Sequence, residues 1–160
     1  MFYKSTRIGK NGKPFTLFKI KTMKDGDGPS STSADDPRIT KVGHWLRKYK
    51  LDELAQLWNI IKRDMNFVGP RPEVPEVIDL MTDQEKRVIL SVRPGLTDLA
   101  SLWNSNEEEV LKGSQDPHQD YLNIIWPTKK KLQIEYINKR SIWLDLKIII
   151  KTILKIFVRR

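Results

Sequence analysis

The chain has 160 residues and a net charge of +9, with 39% hydrophobic and 31% charged residues; this size holds one core, and the composition excludes both a disordered polyelectrolyte and a polytopic membrane protein. It has no cysteine, which excludes a disulfide scaffold, a thiolate metal site and a cysteine nucleophile, and with two histidines an imidazole metal cage is not expected. Charge is polarised along the chain, at +8 over residues 1–50, −7 over 51–127 and +8 over 128–160. Basic ends facing anionic partners around an acidic middle that holds carboxylates for chemistry or metal account for this layout, and so does a nucleic-acid binder. The basic start carries no signal peptide, and no run of about 18 apolar residues follows, so exposure to the cytosol is expected.

In chain order, the turn cluster Gly9-Lys10-Asn11-Gly12-Lys13-Pro14 and the branched and aromatic run Phe15–Lys21 predict a small β-hairpin near residues 9–23. Residues 25–36 form a polar loop whose Asp25-Gly26-Asp27-Gly28 start lacks the later ligands of a calcium loop. From Ile39 to Arg63 the pattern is helical: Leu51, Leu54, Leu57, Trp58 and Ile61 recur at three and four residues; Leu51, Leu54, Trp45 and Trp58 are expected in the core, and His44 is an ordinary helix-face residue. Prolines 70, 72 and 75 then break the helix, and Val68-Gly69-Pro70-Arg71-Pro72 is a stiff loop presenting Arg71. Residues 73–92 are helical, Arg93-Pro94-Gly95 is a turn, and Glu107-Glu108-Glu109 opens another helix.

Two further helices cover 128–139 and 141–158, the latter with 12 apolar residues among the 17 from Ile142 to Val158. Lys147, Lys151 and Lys155 form a cationic stripe against Trp143, Leu144, Ile148, Ile150, Leu154 and Phe157. A helix packed on the core and a basic amphipathic helix lying in an anionic membrane surface both fit this pattern, while Asp145 and the lysines argue against a membrane span. The predicted fold is α+β and predominantly helical, one domain over 1–160, with a small β-hairpin and amphipathic membrane-surface helices.

Lys50-Leu51-Asp52-Glu53-Leu54-Ala55-Gln56 places adjacent carboxylates at a helix start. Neighbours on a helix diverge by about 100°, so one carboxylate attacks or binds metal while the other positions it; alternatively both are ordinary acids complementing the helix dipole. Arg71 and Arg93, each beside proline, suit bidentate clamping of phosphate, or plain loop salt bridges. Carboxylate, divalent metal and arginines together spell phosphoryl transfer, in which an aspartate can form a covalent acyl phosphate.

These residues, with Asp36-Pro37-Arg38-Ile39-Thr40-Lys41-Val42-Gly43, Leu46-Arg47-Lys48, Leu57-Trp58-Asn59, Asp64-Met65-Asn66-Phe67-Val68-Gly69-Pro70-Arg71-Pro72 and Arg93-Pro94-Gly95-Leu96-Thr97, resemble in order and spacing the bacterial sugar transferases, small monotopic phosphoglycosyl transferases. The likeness runs from Gly12-Lys13-Pro14-Phe15 to Asp145-Leu146. It implies transfer of a sugar 1-phosphate from a nucleotide diphosphate sugar, usually a UDP-sugar, to a polyprenyl phosphate with release of UMP, on the cytoplasmic face of a bacterial inner membrane. It implies Asp52 as nucleophile, Glu53 as its partner in holding Mg²⁺, Arg71 as a phosphate contact, and Arg93, Arg38 and Lys21 along the nucleotide or phosphate side. Nucleotide sugar, polyprenyl phosphate and an anionic membrane surface are the implied partners; a homo-oligomer stays open and no nucleic acid is expected. Family members usually begin with a membrane re-entrant helix, and this sequence starts within the segment that follows it. Departures are Lys50 and Ala55 where serine and proline are usual, Lys21 where arginine is common, and Asp98 with Ser101 in place of glycine and glutamine.

Overall fold

The computed structural model describes residues 2–26 and 31–158; Asp27 and Gly28 of the acidic loop and the side chain of Phe157 lie outside the described part. The hairpin is longer than predicted and begins earlier. Strand β1 (Phe2–Ile8) pairs antiparallel with β2 (Pro14–Ile20), from Phe2 opposite Ile20 to Ile8 opposite Pro14. Asn11 and Gly12 turn the chain with φ of 59° and 74°, the left-handed region that asparagine and glycine tolerate best. The missed strand consists of the residues whose polar, basic character masks any alternation.

Helix α1 (Lys41–Lys48) starts at Thr40, whose hydroxyl accepts from Gly43 N at 2.9 Å, an N-cap that satisfies one orphan amide. A 3₁₀ turn (Leu51–Gln56) follows and runs into α2 (Leu57–Ile61). Here the predicted burial is inverted. Trp45, Leu54 and Trp58, expected in the core, are 55%, 51% and 56% exposed, and Leu51 is half-buried; Leu57 and Ile61 are exposed as well, while Asp52, Gln56 and Asn59 are buried. The buried set recurs at four and three residues, so the inward face of this segment is its polar one. Asn59 explains part of the inversion: its Nδ2 donates to Thr16 O at 2.7 Å and its Oδ1 accepts from Phe18 N at 3.2 Å, closing the free edge of β2 that a leucine would leave unsatisfied. His44 lies on α1 and is exposed.

The proline-rich break and the Arg93-Pro94-Gly95 turn are not independent loops. Strands β3 (Asn66–Val68) and β4 (Gly95–Thr97) pair in parallel, Asn66 with Gly95 and Val68 with Thr97. A Cβ on Gly95 would fall inside the Gly69 backbone, and one on Gly69 would crowd Arg93 O; the two chains meet this closely because both residues lack side chains. Between the strands lie α3 (Pro75–Asp79) and α4 (Asp83–Ile89), the latter held by a reciprocal cap between Thr82 and Glu85.

Short helices α5 (Leu99–Trp103), α6 (Glu107–Val110) and α7 (Pro117–Asp120) lead through a π-helical turn at Tyr121–Ile125 into α8 (Trp126–Lys139) and α9 (Ile142–Val158). Val77, Ile78, Met81, Ile89, Leu111, Tyr121, Ile125 and Trp126 form the main core, and Val68, Tyr136 and Ile148 a second cluster under α9. Helix α9 packs on the core along one face, as the first reading of its sequence expects, and leaves another face exposed. Ile148 is buried and Thr152 Oγ1 meets Thr97 Oγ1 at 2.8 Å, whereas Trp143 is 79% exposed and Ile150 and Leu154 are also exposed. Among the described residues no helix is long and apolar enough to cross a membrane.

Candidate active site

The carboxylate pair, the Pro-Arg-Pro loop and β2 converge. Lys50 adopts φ 57° immediately before the 3₁₀ turn, a left-handed step that reorients the chain and delivers Asp52 inward. Glu53 then meets Arg71 in a fork: Nη1 to Oε2 at 2.9 Å and Nη2 to Oε1 at 3.0 Å, the bidentate geometry that a guanidinium offers a carboxylate. Arg71 Nη1 also donates to Leu96 O at 2.5 Å, and Lys19 Nζ on β2 lies 3.7 Å from Glu53 Oε1. The adjacent acids therefore have different environments, as their divergence requires.

Asp52 is buried, and its Oδ1 has no hydrogen-bond partner among the described residues. Burial pushes its carboxyl above the ordinary range, with Lys19 opposing and the Glu53 charge adding to the rise. Glu53 is displaced the other way. Burial alone would raise it, but Arg71, and then Lys19, hold it well below the usual carboxylate range. Arg71 is held above its usual value, the pull of Glu53 outweighing burial, and Lys19 is lowered by burial despite both carboxylates. One acid is locked as an ion pair, and the other is a buried carboxyl group whose Oδ1 is unpaired among the described residues, chemistry that a nucleophile or a ligand requires.

Supporting groups come from other segments of the chain. Asp98 caps α5 by accepting from Ser101 N at 2.7 Å and Ser101 Oγ at 2.8 Å, while its Oδ2 faces Arg71 N at 3.4 Å. Asp98 and Ser101 thus form a coupled pair that orients the Arg71 backbone, and burial holds the Asp98 carboxyl above its ordinary range. Gln133 Nε2 reaches Arg71 O at 3.4 Å. Gln56, fully buried on the inward face shared with Asp52, has neither amide atom paired among the described residues. Sequence reasoning missed Lys19, Gln56, Asp98 and Gln133; for Lys19 the available signal was a lysine amid strand alternation, and for Gln56 its offset of four from Asp52.

The other sequence-selected residues make different contacts. Arg38 donates to Asp36 through Nε and Nη2, at 3.0 and 2.7 Å, and Lys21 pairs with Asp25. Arg93 is exposed and lines a cleft with Arg63. Asp52 and Glu53, with Arg71, are therefore the members of the predicted set that the fold brings together. Among the described residues no group of three or more His, Asp or Glu side chains is arranged to hold a metal. A magnesium ion needs only one or two carboxylates when a substrate phosphate completes its shell, and the unpaired Asp52 Oδ1 fits that role, whereas Glu53 already serves Arg71.

Comparison with known proteins places this sequence in a family. Residues 1–159 match the bacterial sugar transferase family. The chain is 36% identical over 159 residues to the uncharacterized sugar transferase EpsL of Bacillus subtilis (strain 168), covering 99% of this chain and 70% of that protein. It is 36% identical over 156 residues to the undecaprenyl-phosphate glucose phosphotransferase of Komagataeibacter xylinus, covering 92% of this chain and 27% of the relative. Against the UDP-glucose:undecaprenyl-phosphate glucose-1-phosphate transferase of Caulobacter vibrioides (strain ATCC 19089 / CIP 103742 / CB 15) the figures are 33% over 156 residues, 94% and 54%. The shared segment thus ranges from about a quarter to 70% of these relatives' lengths, and across nearly all of its own length this chain belongs to the bacterial sugar transferase family.

Proposed function

We propose that the chain transfers a sugar 1-phosphate from a UDP-sugar to a polyprenyl phosphate through a covalent phosphosugar on Asp52. The observation that carries this reading is the buried Asp52 carboxylate with one unpaired oxygen, set beside a Glu53–Arg71–Lys19 cluster. The names of the relatives, undecaprenyl-phosphate glucose phosphotransferase among them, support the reaction class.

In the first half-reaction an Asp52 oxygen attacks the phosphorus that bears the sugar. The bond from that phosphorus to the bridging oxygen breaks, and UMP leaves with the electron pair. In the second, an oxygen of the polyprenyl phosphate attacks the same phosphorus, the acyl phosphate bond breaks, and the Asp52 carboxylate is regenerated beneath a polyprenyl diphosphate sugar. Burial of Asp52 excludes the water that would hydrolyse the acyl phosphate, and Lys19 lends positive charge where phosphate approaches. Glu53 fixes the Arg71 fork and Asp98 its backbone, so the cluster is organised before substrate arrives. Mg²⁺ held through Asp52, with Glu53 alongside, would neutralise the donor diphosphate when bound.

The exposed stripe of Trp45, Leu54, Leu57, Trp58 and Ile61, and the exposed residues of α9, suit a face laid on the bilayer surface where a polyprenyl acceptor resides. Lys147 and Lys151, both exposed, add attraction to anionic lipid.

The deciding experiment omits the acceptor. With UDP-sugar and Mg²⁺ alone, the protein should release UMP stoichiometric with enzyme and gain a phosphosugar mass on the Asp52 peptide, and Asp52→Asn should give neither. UMP release only when both substrates are present would replace the covalent route with direct transfer.

A further inference from the structure

A cleft of about 290 Å³ lies between α2, β3 and α9, on residues the proposed chemistry does not use. Its basic members are Arg63 and Arg93, Asn66 also lines it, and Ile60, Phe67 and Ile149 supply apolar walls. Among the described residues neither guanidinium has an ion-pair or hydrogen-bond partner. Asp145 also lines the cleft, and its Oδ1 is taken by the Tyr136 hydroxyl at 2.7 Å.

Backbone geometry singles out Arg63. It follows the last turn of α2 with φ 64°, and its N–H bonds back to Ile60 O at 2.9 Å. This is the left-handed position after a helix that glycine or asparagine fills without strain. An arginine there keeps a guanidinium at the cleft against the preference of its own backbone. The cleft also opens between surfaces that are apolar outside it: Ile61 adjoins Ile60, and Leu146 and Ile150 adjoin Asp145 and Ile149, all exposed.

We infer that this cleft binds a phosphate ester carried on an apolar chain, the guanidiniums of Arg63 and Arg93 holding the phosphate while the apolar walls take the first part of the chain. Two forked cations suit a phosphate oxyanion, and a purely water-soluble phosphate has no use for walls of isoleucine and phenylalanine. The inference extends the proposed function to the lipid side and rests on that reading only for which lipid is bound. Polyprenyl phosphate and a bilayer phospholipid share the chemistry.

The test measures binding of farnesyl phosphate in detergent micelles to the whole chain, with inorganic phosphate and phosphatidylglycerol as the other probes. Wild-type protein should prefer farnesyl phosphate to inorganic phosphate, and Arg63→Gly and Arg93→Gln should each weaken it about tenfold. Arg63→Gly should meanwhile hold or raise the thermal midpoint, since glycine relieves the backbone; a purely structural arginine would give unchanged binding. The same arginine dependence with phosphatidylglycerol identifies a bilayer headgroup, and dependence confined to farnesyl phosphate identifies the acceptor. Unchanged affinity in both variants, or inorganic phosphate binding as tightly as the prenyl ester, overturns the proposal. Acceptor-free UMP release reads Asp52 alone, so failure there leaves this result separately interpretable.

Discussion

Arg71 and Glu73 stand on either side of Pro72, and each enters a buried charge cluster of a different kind. Glu73 accepts from Lys129 Nζ at 2.9 Å and from the Tyr121 hydroxyl at 3.2 Å, and Lys129 also reaches Glu107 at 3.1 Å and Tyr121 at 3.0 Å. Lys129 is held well above its usual value because Glu107 and Glu73 outweigh the effect of burial. Every charge in that cluster has an opposite neighbour. In the Arg71 cluster, Glu53 is equally well paired, but Asp52 keeps an open oxygen and Gln56 an unpaired amide. A closed network joins α8 to the Pro-Arg-Pro loop and holds the fold, while a network with open buried atoms retains binding capacity for something else. The contrast separates structural from chemical roles more sharply than burial, which both clusters share.

The largest expected effect opens the chemical side of this comparison. Asp52→Asn should lower turnover by about 10³-fold or more, roughly 4 kcal/mol of transition-state stabilisation, with an unchanged or higher melting temperature because a neutral amide is easier to bury; steady-state kinetics and thermal denaturation check both halves. On the structural side, Lys129→Met should cost about 3–5 kcal/mol of stability, the penalty for leaving Glu73 and Glu107 facing each other without their cation. Urea unfolding measures it, and adding Glu73→Gln should recover part of the loss. Glu53→Gln stands between the two clusters in kind, since it breaks a closed pair inside the open site. Turnover should fall roughly 10- to 100-fold, the worth of a hydrogen bond to a charged group, without the complete loss expected of Asp52→Asn.

pH sharpens the comparison within the acid pair. Asp52 is raised, so the rate should fall as pH drops through its elevated pKa, while Glu53, lowered by Arg71, stays ionised and adds no second slope. The stability terms have opposite signs. The Asp52 contribution is fully present below its unfolded value of 3.8 and lost as pH rises through the raised folded value; that of Glu53 is present above 4.5 and lost as pH falls through its lowered one. Stability against pH for Asp52→Asn should lack the first of these. The smallest folding effect belongs to the outer stripe: Trp58→Glu or Ile61→Glu should shift stability by no more than about 0.5 kcal/mol, yet reduce sedimentation with anionic vesicles. A loss of several kcal/mol would mean that the stripe is core after all.

That stripe shows where periodicity reaches its limit. The spacing of Leu54, Leu57, Trp58 and Ile61 is legible as helical, and the inference that apolar residues point inward puts Leu54 and Trp58 on the wrong side. Apolar spacing reports which residues share a face, whereas the neighbour of that face is a tertiary fact. Here β2 needs hydrogen-bond partners along its edge, and Asn59 supplies them, so the polar face turns in. The parallel pairing of β3 with β4 was invisible for a related reason: three-residue strands rich in glycine and flanked by proline carry no alternation to read, and 26 residues separate Val68 from Gly95.

The sequence by itself determined the helical content of α8 and α9, the existence of a hairpin, the family resemblance, and the Asp52-Glu53 and Pro-Arg-Pro motifs, because each is written in local spacing or in short contiguous runs. Only the tertiary structure decided that Glu53 is the acid that Arg71 grips, that Asp52 keeps an open oxygen, that Lys19, Asp98 and Gln133 support the cluster, and that Arg93 stands with Arg63 instead of Arg71. These are pairings between segments distant in sequence. A carboxylate's charge and reactivity follow from which cation packs against it and how much water remains, and both are fixed by the way the chain closes on itself.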